Sequence, residues 1–199
     1  MEPSNTETEV KFYVNSLPAL EALLGRMGAA QVQPRSLEVN YRFDTASDEL
    51  KRTRRVLRLR RCGETILTFK GPGQARDGLV SRQEIEVQVA DLSQMRRLLE
   101  ALGYRVTFVY EKYRSVYSLE GQQIMLDELP FGSFVEVEGD AEGIRRVAHR
   151  LGLAWERAVS ASYALLFDDA RSEFGLPFHD LTFANFADHP VRLKVEPAD

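Results

Sequence analysis

Five pairs of like charges occur along the chain, and in each pair the two residues stand two positions apart with an apolar or small residue between them. The pairs are Glu7 and Glu9, Arg58 and Arg60, Glu84 and Glu86, Lys112 and Arg114, and Glu136 and Glu138. Because side chains alternate between the faces of a β-strand, both members of a pair lie on one face. A solvated face usually mixes signs, so pairs of pure sign indicate a charged interior. Carboxylates that hold a divalent cation, opposite basic side chains, suit a triphosphate.

A single Glu-x-Glu pair is most often part of a solvated sheet face, but five pairs of pure sign favour a lumen. Burying so many charges is costly unless acids oppose bases, or a metal ion and phosphates complete the set. The alternate positions on these strands are apolar, and we expect them to pack outward under helices. These positions are Leu57, Leu59, Ile85, Val87, Val135 and Val137.

One unit occurs three times: a strand with Glu-x-Glu, a short connection, and an amphipathic helix that ends at a glycine. The three helices are predicted to end at Gly28, Gly103 and Gly152, where glycine provides a left-handed cap. Ser16 and Asp91 stand at N-cap positions. Further strands are predicted over residues 39–43, 56–61, 65–70, 106–118, 123–127 and 134–138. About eight antiparallel strands with inserted helices predict an α+β domain built on a β-barrel.

The chain is predicted to form one domain over residues 5–168, with a short helix over residues 160–168. Residues 169–199 are predicted to form a C-terminal tail that packs on the outside of the domain or is partly disordered, and that has no role in catalysis. The stretch 71–78 is predicted to be an exposed loop, with a mobile lid as the less favoured reading. The basic run 51–61 could be a nucleic-acid patch, but its Leu-Arg-Leu-Arg alternation is typical of a strand.

Composition limits the class of protein. The 199 residues include 26 Lys and Arg against 30 Asp and Glu, and the net charge of -4 disfavours nonspecific DNA binding. A single cysteine, Cys62, excludes an internal disulfide. No stretch approaches the roughly 18 apolar residues of a membrane span, and the amino terminus has neither a basic flank nor an apolar run. We therefore expect a cytoplasmic protein without a DNA or membrane partner; a homodimer is left open.

Several motifs together resemble one known family. They are Glu7-x-Glu9-x-Lys11, Leu57-Arg58-Leu59-Arg60, Thr68-Phe69-Lys70-Gly71-Pro72, Glu84-x-Glu86, Glu111-Lys112-x-Arg114, Leu126-Asp127 and Phe134-x-Glu136-x-Glu138-Gly139. In this order and over residues 5–168, the chain resembles the CYTH-domain proteins, or triphosphate tunnel metalloenzymes. That superfamily includes class IV adenylyl cyclases and thiamine triphosphatases.

The resemblance implies an eight-stranded antiparallel closed β-barrel, the triphosphate tunnel, with helices packed outside. It also implies a small-molecule triphosphate substrate and dependence on Mg²⁺ or Mn²⁺. The residues implied to bind phosphate are Lys11, Arg58, Arg60, Lys70, Lys112 and Arg114. Those implied to bind metal are Glu7, Glu9, Asp127, Glu136 and Glu138, while Glu84 and Glu86 line the same lumen. Lys11 and Lys70 are the expected catalytic residues, with Lys70 or a lumenal glutamate as proton acceptor.

The favoured function is hydrolysis of an inorganic or organic triphosphate. The alternative is an adenylyl cyclase that converts ATP to cyclic AMP and pyrophosphate, and a further alternative is a non-catalytic module that binds polyphosphate or triphosphate-ended RNA. Ser162-Tyr163-Ala164-Leu165-Leu166 resembles the family's Ser-Tyr-x-x-Leu-Leu, but Ala161 stands where some members have lysine. The His-Phe element that precedes Glu7 in many class IV cyclases is missing here. Both departures favour the hydrolase over the cyclase.

Overall fold

The structure is a computed structural model, and it describes residues 6–193 and 195–199. The predicted start of the domain, residue 5, lies outside the described residues, and so does position 194 of the predicted tail.

Nine antiparallel strands form one sheet within the described residues, in the order β1-β9-β8-β7-β2-β3-β4-β6-β5. Strand β1 also pairs with β6, so eight strands close into a barrel, and the predicted fold class is confirmed. Strand β5 is an extra hairpin strand on β6, in a stretch that was predicted to be a loop. The strands are β1 (Thr6–Val14), β2 (Ala30–Thr45), β3 (Val56–Cys62), β4 (Glu64–Lys70), β5 (Gln74–Arg76), β6 (Leu79–Val89), β7 (Tyr104–Leu119), β8 (Gln122–Leu129) and β9 (Gly132–Glu138).

Helices lie outside the barrel, and the three repeated strand-helix units are present. The Ser16 hydroxyl accepts a hydrogen bond from the Ala19 amide, and the Asp91 carboxylate accepts one from the Gln94 amide, as expected for N-caps. The helices are α1 (Leu17–Arg26), α2 (Glu49–Arg52), α3 (Leu92–Ala101), α4 (Ala141–Arg150), α5 (Tyr163–Phe174) and α6 (Phe183–Phe186), with a 3₁₀ turn at Trp155–Arg157.

No helix of the described residues has the length and apolarity needed to cross a membrane.

Helix α5 is longer than predicted. It begins after Ser162, whose hydroxyl accepts from the Leu165 amide, and it ends at Gly175, which has a φ of 64°. The predicted division between residues 168 and 169 therefore falls inside a helix. The chain beyond it packs on the barrel wall: Leu181 accepts a 2.8 Å hydrogen bond from the Glu111 amide and is fully buried.

Apolar side chains on the outer face of the barrel pack under α1 and α4. Val135 and Val137 are fully buried there, as predicted, and each such side chain contributes roughly 1.5–3 kcal/mol. The same expectation is wrong for Ile85 and Val87, which are 45% and 54% exposed. Helix α3 packs over β3 and β7 instead, where its Leu99 joins the cluster around Leu59, so the outer face of β6 stays uncovered.

Candidate active site

The barrel encloses a charged cavity of about 460 Å³. Strand alternation places both members of each charged pair inward: Arg58 and Arg60 line the cavity, while Leu59 between them is fully buried in the outer core. Twelve of the thirteen predicted site residues line the cavity. They are Glu7, Glu9, Lys11, Arg58, Arg60, Lys70, Glu84, Glu86, Lys112, Arg114, Glu136 and Glu138.

Glu9 and Glu138 form an acidic pair on neighbouring strands of the cavity wall. They stand directly opposite each other in the β1–β9 register. Glu138 forms no ion pair with a cation of the described residues; burial, followed by repulsion from Glu7 and Glu9, raises its pKa to about 7. Like charges directly opposite on a sheet destabilise it, so this wall is suited to a cation.

Lys70 joins two carboxylates of the cavity. Its Nζ lies 2.7 Å from Glu7 Oε2 and 3.0 Å from Glu84 Oε2. Burial, followed by the hydrogen bond with Glu7, raises the pKa of Glu84 to about 8. Burial alone would raise the pKa of Glu7, but the bonds with Glu84 and Lys70 lower it to about 2. At neutral pH this pair of carboxyl groups therefore shares one proton.

Lys11 lies between an acid and an aromatic ring. Its Nζ is 3.0 Å from Glu136 Oε1 and 4.5 Å from the centre of the Tyr163 ring. Burial lowers the pKa of Lys11, but attraction to Glu136 and Glu9 outweighs it, and the net pKa is raised. Lys11 is therefore a fixed positive charge in the cavity. Glu136 also bonds Arg114, so this carboxylate holds two cations at once.

Asp127 is the predicted site residue that does not line the cavity. It is fully buried behind the wall, where its carboxylate accepts bonds of 3.0 Å from Lys112, 2.6 Å from Arg114 and 2.8 Å from the Tyr163 hydroxyl. This placement favours a role in which Asp127 holds Lys112 and Arg114 in position, over the predicted role as a metal ligand.

Sequence analysis missed three charged side chains of the barrel interior, two of which line the cavity. Arg82 lines the cavity, with its guanidinium 3.2 Å from Glu7 Oε2 and 3.1 Å from Glu9 Oε1. Glu38 is 1% exposed and lies 3.4 Å from Arg60; burial would raise its pKa, but Lys112, Arg114 and Arg60 lower it to about 2. Arg42 is the third. The sequence carried a signal for the two arginines, because residues an even number of positions apart on a strand share a face. Arg82 stands two residues before Glu84, and Arg42 stands four residues after Glu38.

The segment 159–164 also lines the cavity, through Val159, Ser160, Ser162, Tyr163 and Ala164. The Val159 amide donates a 2.7 Å hydrogen bond to the Lys11 carbonyl, which fixes this segment against β1. The first turn of α5 thus forms part of the cavity wall, and Tyr163 reaches Asp127 from there.

Among the described residues, no three or more His, Cys, Asp or Glu side chains are already arranged to hold a metal ion. Glu7 and Glu9 are instead bonded to Arg82, and Glu136 to Lys11. The chemistry of the donors nevertheless fits a hard divalent cation, because carboxylate oxygens are the ligands that Mg²⁺ and Mn²⁺ prefer.

Three comparisons relate the chain to known proteins. A sequence model described as the CYTH domain matches residues 5–157. A protein of Methanocaldococcus jannaschii named "putative adenylate cyclase" is 27% identical over 134 residues, which is 66% of this chain and 75% of that protein.

Two solved structures share the fold at low identity. A "putative adenylate cyclase" from Vibrio parahaemolyticus is 22% identical, with a TM-score of 0.73 over 83% of this chain and 99% of that one. A protein from Hippeastrum, described as a "putative adenylyl cyclase" with a dominant triphosphatase activity, is 21% identical, with a TM-score of 0.62 over 82% of this chain and 96% of that one. At these identities the likeness shows the fold alone.

Proposed function

The chain belongs to the CYTH domain family, and from that premise we propose that it is a divalent-metal-dependent phosphohydrolase of inorganic or organic triphosphates. One observation carries the proposal: basic side chains from β1, β3, β4 and β7 converge with an acidic pair on one enclosed cavity. Phosphoryl transfer needs mainly positioning and neutralisation of charge, which such a cavity supplies. The triphosphatase activity described for the Hippeastrum protein belongs to that protein, and it supports the view that this fold can host hydrolysis.

The proposed phosphate ligands are the six cations predicted from the sequence. A cation 4 Å from a phosphate charge contributes about 4 kcal/mol at an effective dielectric constant of about 20, before desolvation. Several cations that are already held in place by carboxylates lose little freedom when the phosphates bind, so they stabilise developing charge without reorganisation. Lys11 fits this role best, because Glu136 and the Tyr163 ring hold its ammonium group in the cavity.

The proposed metal ligands are Glu9 and Glu138, with Glu7 and Glu136 beside them. A divalent cation would relieve the repulsion within the Glu9–Glu138 pair and displace the proton that Glu138 holds near neutral pH. When bound, Mg²⁺ or Mn²⁺ supplies charge neutralisation on the phosphates and activation of water. Lys70 stays in the proposal as a catalytic charge, since it lies between Glu7 and Glu84 at the cavity surface.

Adenylyl cyclase activity is the second candidate, and the name of the Methanocaldococcus relative favours it. In that reaction the ribose 3′-hydroxyl of ATP attacks the α-phosphorus, and pyrophosphate leaves. The same cations would bind the triphosphate, so cavity charge does not separate the two reactions.

Product analysis separates the candidates. The protein is incubated with inorganic tripolyphosphate, ATP or thiamine triphosphate, each with Mg²⁺, with Mn²⁺ and with a chelator. The proposal expects orthophosphate from at least one triphosphate, dependent on the metal. Cyclic AMP and pyrophosphate as the main products from ATP would establish the cyclase instead, and tight binding without turnover would leave a binding module.

A matched pair of variants tests whether the cavity performs the reaction. Lys11→Ala is expected to reduce the rate by about one to several orders of magnitude. Arg61→Ala removes a cation from an exposed position near the end of β3 and should leave the rate unchanged. Equal rates in both variants would contradict the assignment of the cavity.

A further inference from the structure

Arg42 differs from every other cation of the cavity. Eight Lys and Arg side chains of the described residues line it, and seven have a carboxylate oxygen within 4.0 Å. Arg42 forms no ion pair with a carboxylate of the described chain, although it is one of the lining residues. The fold therefore presents one guanidinium to the cavity without neutralising it.

The surroundings of Arg42 make its unpaired charge unfavourable, because it is close to other cations and buried. Arg42 stands directly opposite Arg58 in the β2–β3 register, and like charges in that relation repel. Burial lowers the pKa of Arg42, and repulsion by Arg58 and Arg82 lowers it further, against the attraction of Tyr110 and Asp44. Asn40, two residues earlier, is fully buried, and neither amide atom has a hydrogen-bond partner. The barrel interior beside Arg42 therefore holds a second polar side chain without a partner, which is rare for a buried group.

Local structure fixes the Arg42 backbone. A register irregularity between β2 and β7 lies at Arg42 and Phe43, where the Thr107 hydroxyl donates to the Arg42 carbonyl at 3.4 Å. Phe43 is 2% exposed in the outer core. Such irregularities redirect side chains next to functional sites.

The closed barrel places two pairs of like charges on opposite walls. Around the ring of eight strands, the order is β1, β9, β8, β7, β2, β3, β4, β6 and back to β1. The Glu9–Glu138 pair spans β1 and β9, and the Arg42–Arg58 pair spans β2 and β3, four strands further round. The acidic pair suits a cation, and the basic pair across the lumen suits an anion.

We propose that Arg42 and Arg58 form a subsite for the phosphoryl group of a triphosphate that lies farthest from the Glu9–Glu138 wall. The inference rests on the proposed function and deepens it, because it assigns a residue that selects three phosphoryl groups over two. Two guanidinium groups that stand opposite each other on adjacent strands can donate to the oxygens of one phosphoryl group. The subsite predicts that a diphosphate bound at the acidic wall contacts Arg42 less than a triphosphate does, because the two pairs lie on opposite sides of the barrel.

Titration calorimetry with inorganic tripolyphosphate and with pyrophosphate tests the subsite. Ca²⁺ serves as the divalent cation, and orthophosphate release is measured to confirm that no turnover occurs during the titration. Arg42→Ala is expected to weaken tripolyphosphate binding about 10- to 100-fold and pyrophosphate binding much less. Arg42→Lys keeps the charge but not the paired donors, and should recover part of the loss. Arg61→Ala, at an exposed position near the end of β3, should bind as wild type.

Thermal unfolding without phosphate distinguishes a binding role from a structural one. Because Arg42 is repelled by Arg58 and has no ion pair to lose, Arg42→Ala should unfold at the wild-type temperature or above it. Tripolyphosphate affinity within about twofold of wild type, or an equal loss for both phosphates, would overturn the subsite and leave the proposed function intact. Failure of the wild-type protein to bind tripolyphosphate would overturn both.

Discussion

The hydroxyl group of Tyr163 donates a 2.8 Å hydrogen bond to Oδ2 of Asp127, and this bond joins the first turn of α5 to the barrel wall. The same carboxylate holds Lys112 and Arg114, two of the proposed phosphate ligands. A residue that does not face the cavity thus orients cations that do. Such supporting contacts usually decide how well a site is organised.

Asp127→Asn should destabilise the protein and disorganise phosphate binding together. The change leaves the buried Lys112 and the partly buried Arg114 with a neutral partner at this position, and breaking a buried ion pair costs about 3–5 kcal/mol. Tyr163→Phe removes only one hydrogen bond to a charged acceptor, for which we expect about 1.5–3 kcal/mol. Urea unfolding gives both free energies.

Metal titration of the Asp127→Asn variant separates the anchor from the role implied by the sequence. An anchor predicts an unchanged metal concentration at half-maximal activity, with weaker triphosphate binding. A large shift of that concentration, with normal stability, would restore Asp127 as a metal ligand.

Metal and phosphate binding should be separable by two substitutions in the cavity. Glu138→Gln removes half of the acidic pair and should weaken Mn²⁺ binding about tenfold or more. Arg60→Ala should weaken triphosphate binding and leave Mn²⁺ binding in place, because Arg60 pairs with Glu38 and Glu86 and not with the acidic pair. Calorimetry with Mn²⁺ alone and with tripolyphosphate measures both. Identical Mn²⁺ affinity in wild type and Glu138→Gln would contradict the acidic site.

Alternation along strands was sufficient to predict the cavity wall. Two-residue spacing determines the face of a side chain, so the inward placement of Arg58 and Arg60, or of Glu84 and Glu86, follows from the sequence once the barrel is assumed. The same rule, applied two residues before Glu84, places Arg82 on the inner face as well. Sequence analysis overlooked Arg82 because it relied on pairs of like charge, and Arg82 and Glu84 have opposite charges.

Two properties could not be predicted from the sequence: how deeply an inward-facing side chain is buried, and which outer strand faces a helix covers. Both depend on contacts between distant parts of the chain. Alternation places Asp127 on the inner face, but Lys112 and Tyr163 determine that it lies behind the wall. The exposure of Ile85 follows from the direction in which α3 crosses β3 and β7, which no local pattern encodes.

Gly139 follows the Glu-x-Glu of β9 and should be intolerant of a side chain. Its φ of 152° is rare for other residues, and a Cβ there would collide with the amide of Gln122. Gln122 is 3% exposed and donates a 2.9 Å hydrogen bond to Asp140, so it has little room to move. Gly139→Ala should cost about 1–3 kcal/mol from overpacking alone. Gly63→Ala is the matched control, with a φ of 70° but no neighbour within 4 Å, and an equal loss there would rule out the Gln122 contact as the cause.

The stability of the metal-free protein should fall as the pH rises from about 4.5 to about 8. The pKa values of Glu84 and Glu138 are raised from 4.5 to about 8 and about 7, so the folded state holds protons that the unfolded chain releases. That contribution is complete below pH 4.5 and is lost as the pH passes through the raised values. Glu7, with its pKa lowered to about 2, acts with the opposite sign, and its contribution is lost only in acid.

Urea unfolding between pH 4.5 and 8.5 tests this dependence. Glu84→Gln and Glu138→Gln should each flatten the fall in the free energy of unfolding, because the substituted amide does not titrate. Glu64→Gln, at an exposed position, should keep the wild-type slope. Mg²⁺ should also reduce the fall, since a cation at the acidic pair stabilises the ionised form of Glu138. A wild-type slope in both cavity variants would show that these carboxyl groups titrate normally and would remove the argument for a cation at this wall.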